Sequence, residues 1–124
     1  MDEIKRYLDT YALVEIKLGN PKFEYLLKSS FVISDITLAE FYTVILKEGG
    51  EEIADVWFKK LEHTSLPVDK EILIEAVKFR EKNKKTGISF FDAVGYVFAL
   101  KKGYKFVTGD KEFEKFENIE FKRK

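Results

Sequence analysis

Residues 88–110 read Ile-Ser-Phe-Phe-Asp-Ala-Val-Gly-Tyr-Val-Phe-Ala-Leu-Lys-Lys-Gly-Tyr-Lys-Phe-Val-Thr-Gly-Asp. Ile88 to Leu100 is apolar almost all round, which predicts a helix buried on several sides rather than one lying half in water. Lys105 to Thr108 follows as a short strand, and Gly109-Asp110 closes it. Helices that alternate with strands build a parallel sheet covered on both faces. Asp92 is the only charged residue between Ile88 and Leu100, and Asp110 directly follows the strand-like run. A carboxylate in such surroundings is costly unless it is paired, hydrogen-bonded or bound to a cation.

The same alternation extends outward in both directions. Ile4 to Leu8 reads as a strand, Thr10 to Leu18 as a helix stopped by Gly19, and Pro21 to about Ser29 as a second helix, since proline is tolerated in a first turn. Phe31-Val32-Ile33-Ser34 reads as a buried strand and Leu38 to Lys47 as a helix that ends at Gly49-Gly50. Glu51 to Glu62 is predicted helical, with Ile53, Val56, Trp57 and Leu61 on one apolar stripe. Thr64 to Leu66 reads as a small strand closed by Pro67. Asp69 caps a helix that runs to about Lys84 and carries Ile72, Ala76 and Phe79 on its inner face. Past Asp110, Lys111 to Phe116 reads as a short helix and Ile119 to Phe121 as the last strand. The expected class is α/β, a three-layer α/β/α sandwich around a mainly parallel sheet.

Residues 1–124 are expected to form a single domain, because 124 residues support one sizeable core and not two. An apolar fraction of 45%, with 12 Phe and 6 Tyr, suits an aromatic-rich interior, so Trp57, Phe79, Phe98 and Phe106 read as core. No run of 18 uncharged apolar residues exists, so no membrane span is expected. The opening Met1-Asp2-Glu3-Ile4-Lys5-Arg6 lacks the apolar stretch of a signal peptide, and a cytoplasmic protein is expected. Without cysteine there is no disulfide, thiol nucleophile or thiolate metal site. The 22 basic and 22 acidic residues cancel, so the basic excess of a non-specific nucleic-acid binder is missing.

Two further acids are as isolated as Asp92 and Asp110. Asp9 is the only charged residue between Tyr7 and Val14, and Glu40 the only one between Ile36 and Leu46. Each has a purely structural explanation. Thr37-Leu38-Ala39-Glu40 and Ser89-Phe90-Phe91-Asp92 match the capping-box pattern, and Asp9 and Asp110 could be simple N-caps worth about 1 kcal/mol each. Their shared address argues for more. In open parallel sheets ligands bind beyond the carboxyl ends of the strands. Asp9 ends the first strand, Asp110 lies past the strand at Phe106-Val107, and Glu40 and Asp92 are expected in the first turns of their helices. Asp35 is a weaker competitor of Glu40.

An all-carboxylate donor set suits Mg²⁺ or Mn²⁺, whereas zinc calls for His or Cys. His63 is the only histidine and reads as a surface residue, which argues against a zinc cluster, a Ser-His-Asp triad and histidine-based RNA cleavage. Two basic groups could grip phosphates. They are Arg80, Lys82, Lys84 and Lys85 in a polar break, and the run Lys122-Arg123-Lys124. Both read first as solvated surface. Gly95 reads as a point of close helix packing.

The segments Tyr7-Leu8-Asp9-Thr10, Thr37-Leu38-Ala39-Glu40, Phe90-Phe91-Asp92-Ala93 and Val107-Thr108-Gly109-Asp110 resemble the ordered acidic motifs of PIN-domain nucleases. VapC-type toxin ribonucleases are similar in size and layout. The resemblance covers nearly the whole chain and implies strand order 3-2-1-4-5 and Mg²⁺-dependent endonucleolytic cleavage of RNA. It places the metal-binding and catalytic acids at Asp9, Glu40, Asp92 and Asp110 and the supporting hydroxyls at Thr10 and Thr108. An antitoxin partner and a homodimer are further implications. Tyr11 departs from the small polar residue often found at its position. In such a site two ions about 3.5–4 Å apart activate water and stabilise both oxygens of an in-line displacement, which leaves a 5′-phosphate and a 3′-hydroxyl. Two other readings compete. A receiver-like phosphoacceptor domain needs an aspartate at the end of the third strand, where Leu66-Pro67 stands. A catalytically idle PIN-like interaction module does not need intact acids, and these are intact.

Overall fold

The computed structural model describes residues 4–124, and Met1, Asp2 and Glu3, which begin the N-terminal reading, lie outside the described residues. Five strands form the sheet: β1 (Arg6–Leu8), β2 (Phe31–Ser34), β3 (Ser65–Leu66), β4 (Lys105–Thr108) and β5 (Ile119–Phe121). Their order is β3-β2-β1-β4-β5 with every pair parallel, in agreement with the expected fold class. Parallel neighbours need crossovers. Helix α1 (Thr10–Lys17) and a 3-10 segment (Pro21–Lys28) link β1 to β2. Helices α2 (Asp35–Gly49) and α3 (Glu51–Leu61) link β2 to β3, and α4 (Lys70–Lys82) and α5 (Phe90–Lys102) link β3 to β4.

Period-two alternation along the strands divides the core into two halves. Tyr7 and Phe106 point to the face covered by α4 and α5, where they join Ile72, Ala76, Val94 and Phe98. Leu8, Ile33 and Val107 point to the other face and pack with Leu13, Phe23, Phe41 and Ile45. Helix α5 is buried from Ala93 through Ala99, as its all-round apolar sequence requires. Gly95 lets it approach the sheet. A Cβ there would lie 3.1 Å from Tyr7 Cε1 and 3.2 Å from Phe106 Cε1. Phe79 joins an aromatic cluster with Tyr96 and Phe116, at ring-centroid distances of 5.1 and 5.3 Å.

Four elements differ from the sequence-based expectation, one of them the short helix expected over Lys111 to Phe116, which is a single 3-10 turn at Lys111–Phe113. Residues 21–28 form a 3-10 helix rather than an α-helix, which places Phe23 and Leu26 one above the other and buries both. Helix α2 starts at Asp35, not Leu38, so Glu40 sits in its second turn. The Thr37–Glu40 capping box does not form, because Thr37 is already helical and its hydroxyl lies 2.8 Å from the Tyr7 phenol. The Ser34 hydroxyl, 2.7 Å from the same phenol, is likewise engaged and does not cap the helix. On α3 the buried face runs through Ala54, Trp57 and Leu61. Ile53 and Val56, expected inside, are 44% and 52% exposed.

Candidate active site

Strand β1 lies at the centre of the sheet, and the chain departs to β2 on one side and to β4 on the other. That reversal opens a crevice beyond the carboxyl ends of the strands. Asp9, Glu40, Asp92 and Asp110 line one cavity of about 530 Å³ there, with Thr10, Tyr11, Gly109, Lys111, Glu112 and Arg123. Four acids separated widely in sequence therefore share one pocket.

Local structure orients each acid. Asp9 is the N-cap of α1, where its Oδ1 accepts the Ala12 N–H at 3.0 Å, and it is only 4% exposed. Burial pushes its pKa up to about 8; hydrogen bonds from Thr108 and Ala12 oppose the rise, and the charges of Asp92 and Glu40 add to it. Asp92 stands in the first turn of α5, with its N–H donated to the Ser89 hydroxyl at 3.1 Å. Burial, followed by repulsion from Glu40 and Asp110, raises its pKa to about 6. Glu40 accepts the Thr10 hydroxyl at 2.5 Å. Asp110 caps the 3-10 turn Lys111–Phe113, where its Oδ1 accepts the Glu112 N–H at 2.9 Å. Thr108, fully buried, accepts the Asp110 N–H at 3.0 Å and leaves its own hydrogen for Asp9.

The capping and site readings of Asp9 and Asp110 are thus compatible, because the capping bond engages only one oxygen, Oδ1, of each carboxylate. The donor set consists of carboxylate and hydroxyl oxygen only. Its members repel one another, and a bound divalent cation would relieve that repulsion. Among the described residues no three His, Cys, Asp or Glu side chains meet in a closed chelating group. Mg²⁺ is compatible with that openness, since it is held by one or two carboxylates and keeps waters or phosphate oxygens as its other ligands. The residues present fit a hard divalent ion.

Other candidates fall outside the pocket. Asp35 accepts the Ser65 hydroxyl at 2.6 Å and lines a separate cavity of about 690 Å³ between α2 and α3. The Arg80 Nε donates to the Ile88 carbonyl at 3.2 Å, and Lys84 pairs with Glu81 at 3.3 Å. None of Arg80, Lys82, Lys84 and Lys85 lines the acidic pocket; Lys111 and Arg123 do. Lys111 and Glu112, which directly follow Asp110, line the pocket although the sequence does not mark them as site residues. His63 is exposed, and β3 is followed by Pro67 with no acceptor aspartate.

Gly109 is the tightest point of the site. A Cβ there would meet the Tyr11 ring at 2.2 Å and the Lys122 carbonyl oxygen at 2.6 Å. Gly109→Ala is expected to destabilise the protein by about 1–3 kcal/mol, the usual cost of overpacking. A denaturant titration checks this, and an unchanged midpoint would show that Tyr11 and residue 122 move aside freely.

Comparison with known proteins agrees with this architecture. A family model described as PIN domain matches residues 6–119. The chain belongs to the PIN domain family. A search of curated proteins finds no match. Among solved structures, a toxin-antitoxin complex from Klebsiella pneumoniae superposes with a TM-score of 0.74 at 18% identity, covering 93% of this chain and 95% of the other. VapC20 of Mycobacterium tuberculosis, described as a sarcin-ricin loop cleaving toxin, gives a TM-score of 0.73 at 19% identity and coverages of 91% and 97%. DNA-bound VapBC from Salmonella typhimurium gives 0.72 at 25% identity and 98% coverage of both chains.

Proposed function

We propose that this protein is an Mg²⁺-dependent endoribonuclease and the toxin of a toxin–antitoxin pair. The observation that carries the proposal is the convergence of Asp9, Glu40, Asp92 and Asp110 from four separate segments on one pocket at the carboxyl edge of a parallel sheet. Membership of the PIN domain family supports nuclease chemistry. RNA as substrate is supported by the neighbour described as a sarcin-ricin loop cleaving toxin, and an antitoxin as partner by the neighbour described as a toxin-antitoxin complex.

The four acids would hold the metal, which when bound supplies Lewis acidity and an activated water for attack on phosphorus. The protein's own groups prepare that step. Ala12 and Thr108 hold Asp9 at the floor, Thr10 holds Glu40, and Thr108 with Glu112 sets the turn that carries Asp110. The nucleophile in this proposal is water: no cysteine exists and the single histidine lies outside the pocket. Attack by water leaves a 5′-phosphate and a 3′-hydroxyl. Ile74 and Val77 on α4, and separately Val56 and Phe58 on α3 across the sheet, are exposed apolar side chains that an antitoxin or a second copy of the chain would cover. A cytoplasmic location accords with a cellular RNA target, and no helix among the described residues is long and apolar enough to cross a membrane.

Incubation of the purified protein with mixed RNA tests this reading directly. Cleavage is expected with Mg²⁺ or Mn²⁺, none in EDTA, and the fragments should carry 5′-phosphates. Metal-independent cleavage, or cyclic-phosphate ends, would replace the metal mechanism with another.

A further inference from the structure

Arg123 enters the acidic pocket from a segment that is held on both sides. Before it, the Lys122 N–H donates to the Thr108 carbonyl at 2.8 Å, which continues the β4–β5 pairing beyond the strands. The Lys122 carbonyl packs on Gly109, where only a glycine leaves it room, and the Lys122 ammonium lies 5.4 Å from the centre of the Tyr25 ring. After it, the Lys124 N–H donates to the Tyr11 hydroxyl at 3.1 Å. Lys122 is thus turned towards Tyr25 while Arg123 lines the pocket. Among the described residues Arg123 takes part in no ion pair.

The surroundings give that guanidinium a task. Five carboxylates line the pocket, those of Asp9, Glu40, Asp92, Asp110 and Glu112, against two cations, Lys111 and Arg123. A polyanion approaching this rim meets its own sign of charge, and a cation at the entrance offsets the repulsion. Arginine presents a planar fork that matches two phosphate oxygens, which the point charge of Lys111 does not. Anchoring by Thr108 and Tyr11 removes part of the ordering cost of the contact.

We propose that Arg123 grips a backbone phosphate of the RNA at the rim of the acidic pocket, positioned by Tyr11 and Gly109. The proposal rests on the ribonuclease reading and names the residue that holds its substrate. Because the contact is to phosphate, it acts without regard to base sequence.

The test compares wild type with Arg123→Ala, Arg123→Lys and Tyr11→Phe in two assays. The first is cleavage of a labelled mixed-sequence RNA with Mg²⁺. The second is binding of the same RNA as a function of salt, in the Asp92→Asn background. Arg123→Ala is expected to raise KM about tenfold, with the loss falling on KM more than on kcat. Its log–log salt slope should shrink by about 0.7, the value for one phosphate contact on a single strand. Arg123→Lys should keep the wild-type slope yet bind less tightly. Tyr11→Phe, which frees Lys124 but keeps the ring over Gly109, should fall between wild type and Arg123→Ala. If the wild type cleaves RNA and Arg123→Ala retains both its KM and its salt slope, the phosphate role is wrong and the nuclease reading survives. If the wild type neither cleaves nor binds RNA, both are wrong.

Discussion

Replacing Asp92 by asparagine is expected to reduce RNA cleavage more than about a hundredfold while making the metal-free protein more stable. The rate loss follows from removing a charged oxygen donor, since loss of an outer partner of a metal ligand alone typically costs about 10–100-fold. The gain in stability follows from the pocket's electrostatics. An acid in the first turn of a helix normally gains from the dipole. Yet burial and the charges of Glu40 and Asp110 push the Asp92 pKa up to about 6, so the environment as a whole disfavours its anion. Asparagine keeps the shape, keeps the N–H bond to Ser89, and removes one of the charges that raise Asp9. Asp9→Asn is expected to behave in the same way, because asparagine caps a helix as well as aspartate does. Cleavage assays with Mg²⁺ and melting curves in EDTA give the two readouts. Wild-type turnover in the Asp92→Asn protein would remove this residue from the site.

The acids were legible in the sequence for the same reason that the fold makes them useful: Asp9, Glu40 and Asp92 each stand alone in an apolar run, where charge is costly, and Asp110 directly follows one. The helices and strands followed from periodicity, but strand order did not. It rests on which crossovers pack where, and only the resemblance of the acidic motifs supplied it. Lys111 lies in an ordinary charged stretch and Arg123 in a basic run that reads first as solvated surface, so the sequence places neither at the pocket. Their place is set by long-range contacts such as that between Lys124 and Tyr11, 113 residues apart in sequence. The α3 stripe shows a second limit. Apolar spacing marks a face that avoids water without saying what covers it, and Ile53 and Val56 remain exposed. Helix α2 begins before the cap that Thr37 suggests in sequence, because the Thr37 hydroxyl is hydrogen-bonded to Tyr7 across the core rather than to a helix end.

Metal-free protein is expected to lose stability relative to Asp9→Asn as pH rises from about 4 to about 8, and Mg²⁺ is expected to reverse the loss. The sign follows from where the protons reside. Asp9 titrates from an ordinary value of 3.8 up to about 8 in the fold, chiefly through burial, and Asp92 from 3.8 to about 6. In the unfolded chain both have lost their protons by pH 5. Between the two sets of values the folded state binds protons that the unfolded state has released, so stability falls with rising pH. Asp92 contributes up to about pH 6, and Asp9 alone carries the trend on to about pH 8. Well below the ordinary value of 3.8 both are protonated in either state, and they no longer make stability depend on pH. Mg²⁺ requires the ionised carboxylates, so its affinity should climb over the same window. At a hundred times its dissociation constant it adds about 2.7 kcal/mol of stability, provided the unfolded chain does not bind it. Melting temperatures in EDTA and in Mg²⁺, taken from pH 5 to 8 for wild type and Asp9→Asn, separate these effects. The difference between the two proteins in EDTA should widen towards pH 8 and close or invert in Mg²⁺. A difference independent of pH would mean that Asp9 is ionised throughout, as it would be if the pocket admitted far more water than its burial indicates.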